Sequence, residues 1–266
     1  MSYDLVVCVR CHSSVSAVLD TVKAARKNTD PEGTAVFASV DGRPKLARAL
    51  RKKGVAVYCS PQVNGWGAGL FTLLMESIAF ARKEFGKSHF LSIDYDTLFL
   101  CPGVDDYVLS LVTDPGVGLV GPYRTKVKQW VTCFHQDKEQ LRQVLGRIPS
   151  SFIPGEGIHG SFTLVTRAMT DALERGWFFG SPRKAARSYT RLPDDHLLPL
   201  VAKALGFGLV KVDRAKIFSV CKTAVSPVGK EKEGFLVFHP VKSDKAGKRA
   251  RKYFKKRRKD NAMGGL

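Results

Sequence analysis

The sequence is short of acid. Against 43 Lys+Arg it sets 24 Asp+Glu, a formal net charge of +19 over 266 residues. That sign excludes a polycation as the natural partner and favours a polyanion, either nucleic acid or an anionic membrane surface. Long apolar runs are missing too, and none approaches the roughly 18 residues of a membrane-spanning helix. Met1-Ser2-Tyr3-Asp4 has no basic stretch followed by an apolar one. A secretory leader is therefore not expected, and a cytoplasmic location is. Cysteine is sparse and scattered, six in all. Cys8-Val9-Arg10-Cys11 has zinc or redox spacing, yet it begins in a strand pattern and no second pair accompanies it. Buried, reduced thiols are the expectation.

What is present is an alternation of strand and helix patterns, sized for one large domain. Leu5 to Val9, Thr34 to Val40 and Val55 to Cys59 are apolar runs of strand length, the form of parallel strands buried on both faces. Between them, Val15, Val18, Leu19, Val22 and Ala25 recur at helical spacing behind a possible Ser13 or Ser14 cap, and a short basic helix spans Lys45 to Lys53. A glycine-rich loop, Pro61 to Gly69, precedes a helix from Leu70 to Phe85. Its glycines could let backbone amides approach a phosphate, although it matches neither a P-loop nor a dinucleotide fingerprint. Further on come a helix at Val104–Val112, a strand at Val117–Val120, a charged helix at Asp137–Leu145, and a strand at Thr163–Val165. Then follow helices at Met169–Gly176 and from Asp194-Asp195 to Leu205, and strands at Leu209–Val212 and Gly234–Lys242. The predicted architecture is α/β with a mostly parallel central sheet, whose ligands bind beyond the carboxyl ends of the strands.

The pattern centres on Leu91-Ser92-Ile93-Asp94-Tyr95-Asp96-Thr97-Leu98-Phe99. An apolar run ends in two carboxylates at i and i+2, which leave the same face if the strand persists. Carboxylates at the end of a buried strand repel each other, and a divalent cation with oxygen ligands is a ready partner. Interleaved cations and aromatics in Trp177–Arg191, including Arg183, Arg187 and Tyr189, suit a nucleic-acid groove or, equally, a mobile lid with solvated charges. A basic tail follows: Lys242 to Asp260 holds 11 basic and 2 acidic residues, with Tyr253-Phe254 its only sizeable apolar pair. It reads as a solvated tail or a basic helix over Ala246–Arg258.

Five features follow the order found in GT-A glycosyltransferases, which use nucleotide-sugar donors. They are the strand–helix–strand start ending near Asp41, Asp94-Tyr95-Asp96, the glycine-rich Gly155–Ser161 loop, Asp194-Asp195 opening a helix, and His239-Pro240-Val241-Lys242. The resemblance spans about residues 4–242 and implies a single GT-A (Rossmann-like) domain over 1–242, with residues 243–266 as a basic C-terminal tail. It also implies roles. Asp96 and His239 would hold Mn²⁺ or Mg²⁺, with Asp94 contacting the metal through water or the ribose. Arg10, Asp41, Asn64, Gly65, Trp66, Gly67, Tyr95 and Lys242 would bind the donor, a UDP-sugar by family habit and UDP-glucose as first choice. Asp195, or Asp194, matches the base of inverting members, and Gly157, Gly160, Ser161, Arg183 and Arg187 would line the acceptor.

The resemblance leaves the acceptor open, because this fold serves sugars, lipids, proteins and nucleic acids. Charge points to DNA as the acceptor, with a 5-hydroxymethylpyrimidine of a viral (phage) genome the chemically ordinary hydroxyl to modify. The host cytoplasm would then be its location. Two alternatives stand beside this reading: a peripheral enzyme of lipid-linked or envelope glycans on a membrane surface, and a non-catalytic nucleic-acid-binding protein on the same fold.

Overall fold

The computed structural model describes residues 3–124, 127–180, 185–219, 226–242 and 244–263, without the side chains of 124 and 258–263. β1 (Leu5–Cys11) leads through α1 (Val15–Lys27) to β2 (Thr34–Val40), and α2 (Pro44–Arg51) leads to β3 (Ala56–Cys59). α3 (Ala68–Phe85) returns the chain to β4 (His89–Asp94), followed by β5 (Leu98–Phe99) and α4 (Val104–Ser110). Next come β6 (Val117–Gly121), β7 (Tyr123–Arg124), α5 (Lys128–Leu145), β8 (Gly157–Ile158) and β9 (Phe162–Val165). The described elements end with α6 (Arg167–Arg175), α7 (Asp194–Ala204), β10 (Gly208–Lys211), β11 (Ile217–Ser219), α8 (Pro227–Lys232), β12 (Val237–His239) and α9 (Lys245–Met263).

Among the described residues the main sheet has seven strands in the order β10-β6-β9-β4-β1-β2-β3. β1 pairs in parallel with both β2 and β4. β9 alone reverses, running antiparallel to β4 and to β6. Every residue of β1 and β2 is buried, as expected where helices cover both faces. Alternation divides their side chains between two cores. Val7 and Val9 pack in the layer holding α1 and α9, whereas Val6 and Cys8 pack with Phe71, Ile78 and Leu197 of α3 and α7. A smaller sheet, β11-β12-β5, sets β12 antiparallel to β5 immediately after the acidic motif.

Period-two geometry also disposes of the cysteine pair. Cys8 and Cys11 are three apart on one strand, so their thiols enter different cores and cannot share a metal. Burial pushes the Cys8 thiol up to about 12 and raises that of Cys11 as well. Neither is expected to react with a thiol reagent at about pH 8 until the protein unfolds, because the thiolate is the nucleophile. Peptide mapping after native labelling checks this; a modified Cys8 would contradict the burial.

The structure departs from the sequence-based expectations in several places. α5 begins at Lys128, well before Asp137, and buries Phe134, Asp137 and Leu141. In the basic–aromatic segment, Phe178 and Tyr189 are core residues rather than stacking faces, while Trp177 is 75% exposed. Arg183 lies outside the described residues. The basic tail forms the helix expected as one alternative over Ala246–Arg258, and the departure is that it docks: Ala250 and Phe254 are buried in the α1-side core. Arg251 ties α9 down, donating to Asp20 Oδ2 at 2.9 Å and to the carbonyls of Tyr95 and Val241 at 3.2 and 3.4 Å.

Candidate active site

Parallel pairing delivers the first functional groups to one rim. Arg10 at the end of β1 is the register partner of Asp94 at the end of β4, and Asp41 follows β2 directly. Arg10 is 5% exposed, and both of its terminal nitrogens are engaged. Its Nη1 donates to Asp194 Oδ2 at 2.5 Å; its Nη2 donates to Asp94 Oδ1 at 3.0 Å and to the Gly160 carbonyl at 2.6 Å. One guanidinium therefore joins β1, β4, the loop before β9 and the first turn of α7. Burial disfavours its charge, but Asp94 and Asp194 outweigh that and raise its pKa.

β4 stops at Asp94, and Tyr95-Asp96 forms a turn rather than continuing the strand. Backbone bonds fix this turn: Tyr95 N–H to the Arg10 carbonyl (3.0 Å), Thr97 N–H to the Asp94 carbonyl (2.9 Å) and Val241 N–H to the Asp96 carbonyl (2.7 Å). The two carboxylates thus converge by turning, not by sharing a strand face. β12 brings His239 against them, with Nε2 at 3.1 Å from Asp96 Oδ1 and 3.8 Å from Asp94 Oδ2. The remaining oxygens are taken by fixed cations: Arg10 holds Asp94 Oδ1 and Lys242 Nζ holds Asp96 Oδ2 at 2.6 Å. One oxygen of each carboxylate and one imidazole nitrogen are left facing each other, with donor atoms of all three residues within 4.8 Å. Two hard oxygens and one nitrogen form a donor set that fits Mn²⁺ or Mg²⁺. Burial raises the Asp96 pKa, yet His239 and Lys242 more than offset this and hold the carboxyl well below the usual carboxylate range. Lys242 is raised in turn, Asp96 outweighing its partial burial.

A cavity of about 530 Å³ opens above these residues, walled by His12, Arg43, Val63, Gly65, Trp66 and Tyr95. The glycine-rich loop is not a phosphate cradle at its start, because the amides of Asn64 and Gly65 donate to the Asp41 carboxylate at 2.7 and 2.9 Å. Asp41, 5% exposed, shapes the loop. Gly67 provides the positive φ of 71° from which α3 starts. Trp66 is 71% exposed and offers an aromatic face, its edge against His12, which also meets Tyr95 at 5.1 Å. Arg187 donates to the Trp66 carbonyl at 3.0 Å, which puts it on this loop rather than on the Gly157–Ser161 side.

On the opposite side, Asp194 and Asp195 open α7. Asp194 is 5% exposed and lies behind Arg10. Asp195 is half-buried and accepts the Gly160 N–H at 2.7 Å. The glycines are required here by contact: a Cβ on Gly157 would fall 2.4 Å from the Asp195 carbonyl, and one on Gly160 2.6 Å from Asp195 Oδ1. Ser161 is buried, its Oγ within 2.7 Å of both His159 Nδ1 and Ser219 Oγ. His159 lines the cavity and packs edge-on against His239 at 5.5 Å. His159 comes from the Gly155–Ser161 loop, whereas His12 and Arg43 carry no local motif. Only the strand ends that bring them together mark them as site residues.

No protein-family model matches the sequence, and no curated protein matches it. Among solved structures, a glycosyltransferase involved in the glycosylation of the major capsid of PBCV-1 aligns with a TM-score of 0.50 at 11% identity, covering 95% of this chain and 98% of that one. Mouse xyloside xylosyltransferase 1 (apo form) aligns with a TM-score of 0.47 at 13% identity over 90% of this chain and 97% of its own. The mannosyltransferase PcManGT from Pyrobaculum calidifontis, solved with GDP-Man and Mn²⁺, aligns with a TM-score of 0.47 at 15% identity over 80% and 55%. The first of these likenesses, with the seven-stranded sheet, shows a GT-A fold.

Proposed function

We propose that the protein is a metal-dependent glycosyltransferase that moves a sugar from a nucleotide-sugar donor to an acceptor hydroxyl. The convergence of Asp94 Oδ2, Asp96 Oδ1 and His239 Nε2 beneath an open cavity on a GT-A fold carries this reading. Mn²⁺ or Mg²⁺ would be held by Asp96 and His239, with Asp94 as direct or water-mediated ligand, and would supply charge neutralisation for the departing diphosphate. Lys242 adds a positive group beside it for the same phosphates. The Trp66 face, His12 and Tyr95 suit a nucleoside base, and UDP is the nucleotide we favour. Asp195 is our choice of base: it takes the acceptor proton as the acceptor oxygen bonds to the anomeric carbon and the bond to the diphosphate breaks, inverting that centre. Asp194, paired with Arg10, serves as a positioning residue.

For the acceptor we favour a 5-hydroxymethylpyrimidine in DNA, on the strength of the +19 charge. The membrane alternative is weakened at the basic tail, where Phe254 is 2% exposed and Tyr253 is the exposed large apolar residue among the described ones. The test combines the protein, Mn²⁺, a panel of UDP-sugars and DNA with plain or hydroxymethylated pyrimidines, followed by nucleoside mass spectrometry. A hexose mass on the modified base is expected, lost in Asp195→Asn with nucleotide binding retained. Nucleotide release without a DNA product would move the acceptor elsewhere. No turnover of any donor would sink the enzyme reading.

A further inference from the structure

Besides the active site, the described residues enclose a second large cavity, about 670 Å³, between α1 and α9. Its walls are cationic. From α1 come Lys23 and Lys27, and from α9 come Lys248, Arg251, Lys252 and Lys255, at the i, i+3, i+4, i+7 spacing of one helix face. Asp20 is the only acid lining it, and Arg251 neutralises that carboxylate at 2.9 Å. Lys23, Lys27, Lys248, Lys252 and Lys255 are exposed. Like charges that face one another across a groove repel, and an anion lying between them relieves that repulsion. Lys242 lines this groove and also the active-site cavity, so the two adjoin at one ammonium beside Asp96.

We propose that the α1–α9 groove binds the phosphodiester backbone of a nucleic acid and leads it to the metal-binding site. The proposal rests on the acceptor reading above for the direction of the track, but not for the binding itself. A concave channel with cations on both walls fits a charged strand better than a flat bilayer. The α9 cations extend over about 10 Å, which at about 3.4 Å of rise per nucleotide along a duplex axis matches about three nucleotide steps. A membrane surface would need an apolar face to insert, and on α9 the exposed large apolar residue is Tyr253, at 39%.

The experiment measures binding of a short DNA oligonucleotide by fluorescence anisotropy across a salt series. It compares the whole chain with the quadruple variant Lys23→Ala, Lys27→Ala, Lys252→Ala, Lys255→Ala, none of whose residues touches the active-site cavity. Removing four phosphate contacts should flatten the slope of log K against log salt by about 3 and weaken binding at least about tenfold at low salt. The corresponding Lys→Arg quadruple variant should keep the wild-type slope. An unchanged slope in the alanine variant would overturn the proposal. So would binding to anionic vesicles, lost in that variant, without DNA binding. Donor turnover is measured in parallel. DNA binding lost in the variant, with no turnover in the wild type, would leave the groove standing and remove the enzyme reading; turnover with a groove-independent DNA affinity would do the reverse.

Discussion

Asp96→Asn is expected to lower sugar transfer by about three orders of magnitude and leave the fold intact. The substitution keeps the shape but removes the negative charge that His239 and Lys242 approach at 3.1 and 2.6 Å, and that would hold the proposed metal ion. Metal assistance of a leaving group supplies several kcal/mol, and each 1.36 kcal/mol is about tenfold in rate. The backbone of the turn does not depend on this side chain, since the Asp96 carbonyl accepts from Val241 and the neighbouring bonds are main-chain. Two readings decide the matter. Mn²⁺ affinity, followed by EPR, should fall together with turnover, and chelation of the wild type should reproduce the loss. Full turnover in the variant would mean that the carboxylate cluster is structural.

The second large effect is on stability. Arg10→Met should cost about 3–5 kcal/mol, because it leaves the carboxylate of Asp194 buried without its counter-charge. For a chain of this size that corresponds to a fall in melting temperature of about 6–20 °C. Asp94 is the less costly orphan, since its side chain is 29% exposed against 6% for Asp194. The double variant Arg10→Met/Asp194→Asn should therefore regain part of the loss, a coupling that thermal denaturation reads directly. Equal melting temperatures for wild type and Arg10→Met would show that Asp194 finds solvent or another donor.

Much of the central sheet could be read from the chain because its strands are apolar on both faces and bounded by turn residues. Leu5–Cys11 and Thr34–Val40 appear close to their expected limits, whereas the strand expected from Leu91 starts at His89 and gives way to a turn after Asp94. The reversal of β9 was not legible, since a strand covered on both faces has the same composition in either direction. The first half of α5 escaped because Trp130, Val131, Thr132 and Phe134 weaken a helical reading, and its buried set is sparse. At the site, sequence-adjacent motifs could be found, Asp94-Tyr95-Asp96 above all. What could not be found was the division of labour: that Asp41 would be occupied by the amides of residues 64 and 65, or that Arg10 would bind two acids from distant segments. Those are properties of strand ends brought together, not of any local string.

The seating of β12 against β5 bears on the order in which this protein acquires its site. Arg10 meets Asp194 across 184 positions, and Asp96 meets Lys242 across 146. Contacts of such long separation close late, because the loop entropy is lost before the contact is gained. During synthesis the parallel core from β1 to β4 can collapse early, while its two carboxylates stay open to water for most of translation. Only when the last strand docks do imidazole and ammonium arrive. A chain clipped before β12 therefore lacks His239 and Lys242, and the cluster around Asp94 and Asp96 is completed late in folding.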